Sequence, residues 1–110
     1  MLGTFHSLWT FEVLDISNWN ANARAALNIL QKQSGFISAT ILHSADEPQR
    51  YLVQSDWKDV GSYRRAMGSM DSKIGVWPFL ADMKDDVTAF EKLFSMTADI
   101  TMEFESSVDE

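Results

Sequence analysis

Trp57 and Tyr63 stand six residues apart, where a strand-like pattern gives way to a helical one. An indole can stack on a planar ring and donate its N–H, and a phenol hydroxyl can bond an oxygen or relay a proton. The pair could therefore hold a small aromatic ligand. A structural interpretation is also open, in which Trp57 closes the core at a strand end and Tyr63 is a core tyrosine with its hydroxyl at the surface.

The two histidines, His6 and His43, are candidate general bases because an imidazole titrates near neutral pH. For each of them, a structural or interface histidine is the more common situation. Arg64 could pair with an anionic substrate, although Arg64 and Arg65 together are also typical of a solvated helix face.

Several kinds of chemistry lack the residues that they need. The chain contains no cysteine, which excludes disulfides, thiol nucleophiles and thiolate metal sites. The histidines are not spaced as metal ligands, and no metal site is predicted. The sequence has no glycine-rich phosphate loop and no G-x-S-x-G motif. Arg64-Arg65 is the one adjacent basic pair, so nucleic-acid binding is disfavoured.

Hydrophobic periodicity indicates the elements that must position these residues. Residues 4–15 alternate, are rich in aromatic and β-branched side chains, and predict a strand that is apolar on both faces. Residues 17–35 predict a helix that is capped by Ser17 or Asn18 and stopped at Gly35. The apolar stripe of this helix consists of Trp19, Ala23, Ala26, Leu27 and Leu30.

The rest of the chain predicts a hairpin, further helix and a last strand. Residues from about Phe36 to Trp57 predict the hairpin, with ADEPQ as its turn. DVGSYRRAMGSM predicts a short helix, SKIGVWPFLADMK a further one restarted at Pro78, and VTAFEKLFSM a fourth strand. This order is the ferredoxin-like βαββαβ pattern of the α+β class, an antiparallel sheet with helices on one face.

The two apolar faces of the first strand have a consequence for assembly. Helices on one side of the sheet leave the other side uncovered, and a large exposed apolar patch usually marks an interface. The sequence therefore predicts a homodimer that packs sheet against sheet.

Length and charge indicate the domain organisation and location. The chain has 110 residues, which suits one domain. Its net charge is −7, and five acids with no base lie between Asp99 and Glu110. We expect one domain over residues 1–96 and an acidic, solvated tail over residues 97–110. No apolar run suits a membrane helix and no signal peptide is apparent, so a cytoplasmic protein without a membrane partner is expected.

The stretch SGFISATILHSADEPQRYLVQSDWKDVGSYRRAMGS resembles the antibiotic biosynthesis monooxygenase (ABM) domain family. The resemblance rests on Gly35-Phe36 at the opening of the hairpin, the acidic turn, the strand that ends in Trp57 and the helix after it. It extends over roughly residues 4–96. It implies a ferredoxin-like sheet that dimerises into an α/β-barrel.

Members of this family include cofactor-free oxygenases of phenols and quinols. The resemblance therefore implies a cofactor-independent monooxygenase that acts on a small aromatic metabolite. It implies Trp57 and Tyr63 as ring contacts. The residue types themselves add Arg64 as a substrate contact, and His43, His6 or Tyr63 as the group that handles a proton. A non-catalytic, ligand-binding dimer of the same fold is the alternative.

The family also includes haem-degrading enzymes, and this activity is less expected here. Those members place a histidine on the helix after the tryptophan, whereas the helix expected over Asp59–Met70 contains none. Met67 or Met70 could ligate iron in principle, but methionines at helical spacing are usually core residues. No cofactor is therefore predicted.

Overall fold

The sequence folds into one antiparallel sheet with helices against one face and a small second hairpin near the C-terminus. A computed structural model describes residues 1–108. Within these residues, no helix has the length and apolar character needed to cross a bilayer. The elements, in chain order, are β1 (Phe5–Glu12), α1 (Ile16–Gln31), β2 (Phe36–His43), β3 (Arg50–Trp57), α2 (Val60–Met67), α3 (Met70–Gly75), a 3₁₀ helix (Phe79–Asp82), β4 (Ala89–Glu91), β5 (Phe94–Met96) and β6 (Thr101–Glu103).

The main sheet has the strand order β2-β3-β1-β4. All three neighbouring pairs are antiparallel, with Trp9 opposite Val53 in the central pair and Ile41 opposite Val53 on the other side. This is the order of the ferredoxin-like fold, so the predicted α+β class and βαββαβ pattern are confirmed.

Alternate residues of β1 build the core on the helix side of the sheet. Phe5, Trp9 and Phe11 are buried there, as the period of a strand requires. The predicted stripe of α1 packs against them, with Ala23, Ala26 and Leu30 fully buried and Trp19 and Leu27 partly buried. Apolar burial of this kind is the main stabilising contribution to a small domain.

Two turn residues determine how α1 begins and how β2 is reached. The predicted caps Ser17 and Asn18 are replaced by Asp15, whose carboxylate accepts the Asn18 N–H at 3.1 Å, so the helix begins earlier than expected. Gly35 has a φ of 88°, which a residue with a side chain rarely adopts. A Cβ at this position would also collide with the side chain of Ser62, so Gly35 allows α2 to lie close to the hairpin.

The region after α2 differs from its prediction in detail. The helix expected over SKIGVWPFLADMK is two pieces: Ser69 caps α3, and a 3₁₀ turn begins after Pro78. Proline has no N–H to donate into a continuous helix, which explains the break.

The predicted fourth strand is divided as well. Its first part, β4, pairs with β1, and its second part, β5, pairs with β6 instead. Residues 101–103 of the expected solvated tail therefore form a strand, and residues 109–110 of that tail lie outside the described range.

The face of the sheet opposite the helices is partly apolar. Leu8, Leu42, Leu52 and Phe90 point to this side, because their positions alternate with the buried residues of each strand. Leu42 remains 48% exposed and Phe90 43% exposed. This surface is called the open face below.

Candidate functional site

A cleft of about 530 Å³ lies between α2 and the segment formed by Trp77 and the 3₁₀ turn. This volume is in the range of sites that hold small organic ligands. The cleft is lined by Tyr63, Arg64, Met67, Gly68, Trp77, Leu80 and Ala81. Aromatic and aliphatic side chains dominate this lining, so it suits a planar apolar body.

The capping of α2 orients Tyr63. The Asp59 carboxylate accepts the Ser62 N–H at 2.7 Å, and this hydrogen bond, together with that from the Ser62 hydroxyl, holds the pKa of Asp59 below its usual value. A helix begun in this way directs Tyr63 towards the sheet, where its ring centroid lies 4.9 Å from that of Phe5. Ser7 Oγ donates to Tyr63 Oη at 3.2 Å. The ring of Tyr63 thus forms a fixed wall of the cleft.

Trp57 lies beneath Tyr63 and does not line the cleft. Its side chain is 0% exposed, and its Nε1–H donates to the buried Ser55 Oγ at 2.9 Å. Its ring packs edge-on against Tyr63 at 5.7 Å and against Phe36 at 5.3 Å. The polar atom of the indole is therefore already satisfied, and Trp57 supports the cleft through Tyr63.

Arg64 provides the one charged side chain among the residues that line the cleft. No ion pair joins it to any residue between 1 and 108, and its surface is exposed. The next residue, Arg65, instead directs Nη2 to Ser62 Oγ at 3.3 Å and lies outside the lining. The two adjacent arginines thus have different surroundings.

His43 is far from Tyr63. It lies on the helix side at the hairpin end of β2, stacked on Tyr51 at 4.3 Å, and its Nε2 lies 2.9 Å from the Pro48 carbonyl oxygen. Tyr51 and Trp57 are at opposite ends of β3, which is a separation of about 20 Å at the rise of a strand. The structure does not bring His43 and the cleft together.

His6 lies on the open face, separated from the cleft by the sheet. Its Nδ1 is 2.5 Å from Asp56 Oδ1, and its Nε2 is 2.8 Å from Thr4 Oγ1. Ser38 and Gln54 also donate to the Asp56 carboxylate, at 2.7 and 2.9 Å. Burial alone would raise the pKa of Asp56, but the hydrogen bonds from Gln54, Ser38 and His6 bring that pKa below its ordinary value.

Trp77 is a cleft residue that sequence reasoning missed. It is half-exposed, and its Nε1–H donates to the Met67 carbonyl oxygen at 2.8 Å, which ties the second wall to the end of α2. The signal available in the sequence was a tryptophan directly before Pro78, where a continuous helix must end.

The residues that line the cleft include few side chains that could bind a metal ion or haem iron. Residues 1–108 contain no cluster of three or more histidine or acidic side chains able to hold a metal ion. Helix α2 has no histidine, Met67 lines the cleft, and Met70 is exposed at the start of α3. The lining therefore offers no imidazole as an axial ligand for haem iron.

The fold and the cleft define a ferredoxin-like α+β domain with a ligand-sized space between its helices. The sequence model of the family Antibiotic biosynthesis monooxygenase matches residues 17–74. The match includes more than half of the chain, and the chain belongs to this family. The matched region contains Trp57, Tyr63 and Arg64 but ends before Trp77 and Leu80, so one wall of the cleft lies outside it. No curated protein matches this sequence.

Solved structures with the same fold have low sequence identity to this chain. A conserved protein from Methanosarcina mazei Go1 is 18% identical with a TM-score of 0.68, over 82% of this chain and 93% of that one. SnoaB, a cofactor-independent oxygenase from Streptomyces nogalater, is 18% identical with a TM-score of 0.61, over 83% and 86%. PA3566 from Pseudomonas aeruginosa is 10% identical with a TM-score of 0.64, over 83% and 95%. At these identities the similarity shows the fold alone.

Proposed function

We propose that this chain is a cofactor-independent monooxygenase that acts on a small aromatic, phenol- or quinol-like metabolite. The observation that carries the proposal is the cleft, which combines the rings of Tyr63 and Trp77 with the cation of Arg64 in a member of a monooxygenase family. The similarity in fold to SnoaB, itself a cofactor-independent oxygenase, is compatible with it.

The chemistry needs a substrate that can give up electrons after it loses a proton. For a ring methylene activated by neighbouring hydroxyaryl groups, deprotonation gives an anion that transfers one electron to dioxygen. The resulting radical and superoxide combine, with a proton, to a hydroperoxide. Loss of water from the hydroperoxide leaves a ring carbonyl. One oxygen atom enters the product, and the other leaves as water with the two methylene hydrogens.

The protein would contribute binding, charge and exclusion of water. Tyr63 and Trp77 would hold the ring, and Arg64 would favour the anion, since a nearby positive charge lowers the pKa of an acid. Trp57 would act as a positioning residue through its contact with Tyr63. The cleft lining contains no histidine or carboxylate. The role of His43 or His6 as the base stays a prediction, and either would have to receive the proton through solvent.

The test is oxygen consumption by the purified protein with a panel of anthrones and quinols, in the presence of a metal chelator. We expect uptake of one dioxygen per product, with one labelled atom in the product when the gas is isotopically labelled. Ala81→Trp, which fills the cleft from its lining, should abolish the protein-dependent rate while the fold is kept. Uptake that the filled variant retains would contradict a reaction in this cleft.

We also propose that the chain forms a homodimer through the open face. The exposed Leu42 and Phe90 support this, as does the β5–β6 hairpin, where Phe94 is 51% exposed and Met96 67% exposed. The radius of gyration is 14.8 Å, above the roughly 13 Å of a compact domain of this length. Light scattering at micromolar concentration tests the dimer, and a folded monomer would refute it.

The alternative function is ligand binding without turnover in a dimer of the same fold. The absence of a histidine or carboxylate among the cleft-lining residues favours it, because Tyr63 is then the one uncharged ionisable group of the lining that could handle a proton. Binding of the same quinols without oxygen uptake would support this alternative. A Soret shift on titration with haem would indicate the third, less expected function, and Met67→Leu would then identify its iron ligand.

A further inference from the structure

We propose that the ligand of the cleft is a planar ring that carries an acidic substituent, held by Arg64, in addition to its ring hydroxyl. This inference rests on the proposed site and specifies the class of molecule that enters it, such as a hydroxyaryl carboxylic acid. Arg64 would then determine specificity as well as favour the anion that reacts.

The first argument is the charge of the cleft. The chain carries a net charge of −7, yet the one charged side chain among the cleft-lining residues is positive. A local cation on an apolar wall favours the binding of an anion over that of a neutral molecule of the same shape. A ligand that is neutral when it binds lacks this Coulombic attraction.

The second argument is that Arg64 has no partner within residues 1–108, whereas its neighbour is engaged. Arg65 donates to Ser62 Oγ, and no carboxylate of the described chain lies within ion-pair distance of Arg64. A guanidinium presents a planar set of donors that matches a carboxylate with two parallel hydrogen bonds. Arg64 is thus available for a ligand in a way that Arg65 is not.

The third argument is the division of the cleft into apolar and polar parts. Trp77 is held by its bond to Met67, and Tyr63 by Phe5 and Ser7, so two rings are fixed before a ligand arrives. Fixed aromatic walls bind a ring at low entropic cost. Arg64 follows Tyr63 in the chain and also lines the cleft with a long, exposed side chain, so a ring bound against Tyr63 can carry an acidic group towards it.

The test compares two probes of equal ring size, hydroxynaphthoate and naphthol, by isothermal titration calorimetry at pH 7. The wild-type protein should bind hydroxynaphthoate at least fivefold more tightly than naphthol, and this preference should shrink as salt is raised. Arg64→Gln should lower the affinity for hydroxynaphthoate about tenfold and change the affinity for naphthol by less than twofold. Arg65→Gln removes the same charge one residue away and should leave both affinities within twofold.

Three results would overturn the inference. They are equal affinities of the wild-type protein for the two probes, an equal loss of affinity for both probes in Arg64→Gln, or a loss of hydroxynaphthoate affinity in Arg65→Gln as large as that in Arg64→Gln. Oxygen uptake separates this inference from the proposed function. Tight, Arg64-dependent binding of hydroxynaphthoate with no uptake on any panel member would refute the monooxygenase and leave the ligand class standing. Uptake with neutral quinols that Arg64→Gln does not affect would refute the ligand class and leave the monooxygenase standing.

Discussion

Replacing Trp57 with phenylalanine should destabilise the protein without directly changing its ligand site. The indole is fully buried between Phe36 and Tyr63, so the smaller ring leaves unfilled space, at a cost of about 1–2 kcal/mol. The hydrogen bond to Ser55 is also lost, which adds about 1 kcal/mol. The sum of roughly 2–3 kcal/mol should lower the melting temperature by about 10 °C in a domain of this size.

Urea unfolding measures this loss, and calorimetric titration of naphthol at a temperature where the variant is fully folded measures the site. We expect the affinity to change less than twofold, because Trp57 touches Tyr63 and not the cleft. Ser55→Ala is the matched control for the hydrogen bond, since it leaves the indole N–H buried without an acceptor. The double variant should lose less free energy of unfolding than the two single losses added together.

The opposite pattern would refute this account of Trp57. If Trp57→Phe kept the melting temperature within a few degrees and lowered the naphthol affinity about tenfold, the indole would have to reach the ligand. The buried position of its ring in the structure would then not represent the ligand-bound protein, and Trp57 would return to the ligand contacts that the sequence suggested.

Four further predictions concern the cleft, the acid stability and the assembly. Tyr63→Phe should weaken naphthol several-fold more than naphthalene in the same titration, because only naphthol can bond the lost hydroxyl, and equal losses would contradict a hydroxyl contact. Trp77→Ala should lower the affinity for either ring about tenfold with a change of only a few degrees in melting temperature, since the removed wall is half-exposed; a large loss of stability instead would make Trp77 structural. Asp56→Asn should reduce the acid-induced loss of stability, because the lowered pKa of Asp56 contributes stability above the unfolded pKa of about 4, and this is lost as pH falls through the folded pKa. Urea unfolding of the wild-type protein and Asp56→Asn at pH 7 and at about pH 3 measures this difference. Equal losses of the free energy of unfolding in the two proteins would contradict the role of Asp56. Leu42→Lys should convert the proposed dimer into a folded monomer in light scattering, because it places a charge on the apolar open face, and an unchanged mass would exclude that face as the interface.

Periodicity was sufficient to predict the main sheet. The alternation of β1 is a strong signal, because it places apolar side chains on one face along the whole strand. The stripe of α1 is equally strong, because it repeats over several helical turns. The division of the predicted last strand was not visible. VTAFEKLFSM shows moderate alternation over its whole length, and only tertiary pairing assigns its first part to β1 and its second part to β6.

The candidate site was harder to predict, because it depends on which end of a strand and which face of the sheet each residue occupies. Tyr63 and Arg64 were nominated and do line the cleft. Trp57 occupies a strand end as expected, but the sequence could not reveal that Ser55 satisfies its indole. Trp77 was missed because residues 72–84 carry no regular stripe, and its place depends on the break at Pro78.

The register between β1 and β3 connects the cleft to the open face. Ser7 lies opposite Ser55 on the helix side, where the two hydroxyls bond Tyr63 and Trp57. The neighbouring pair, His6 opposite Asp56, points the other way. A slip of β3 by one residue against β1 would turn Asp56 towards α2 and Ser55 towards the open face, so both the His6–Asp56 contact and the Ser55–Trp57 hydrogen bond would be lost. The observed register therefore places two small, uncharged serines beneath the rings of Tyr63 and Trp57. It also keeps His6 and Asp56 on the open face, where a second copy of the chain is proposed to bind.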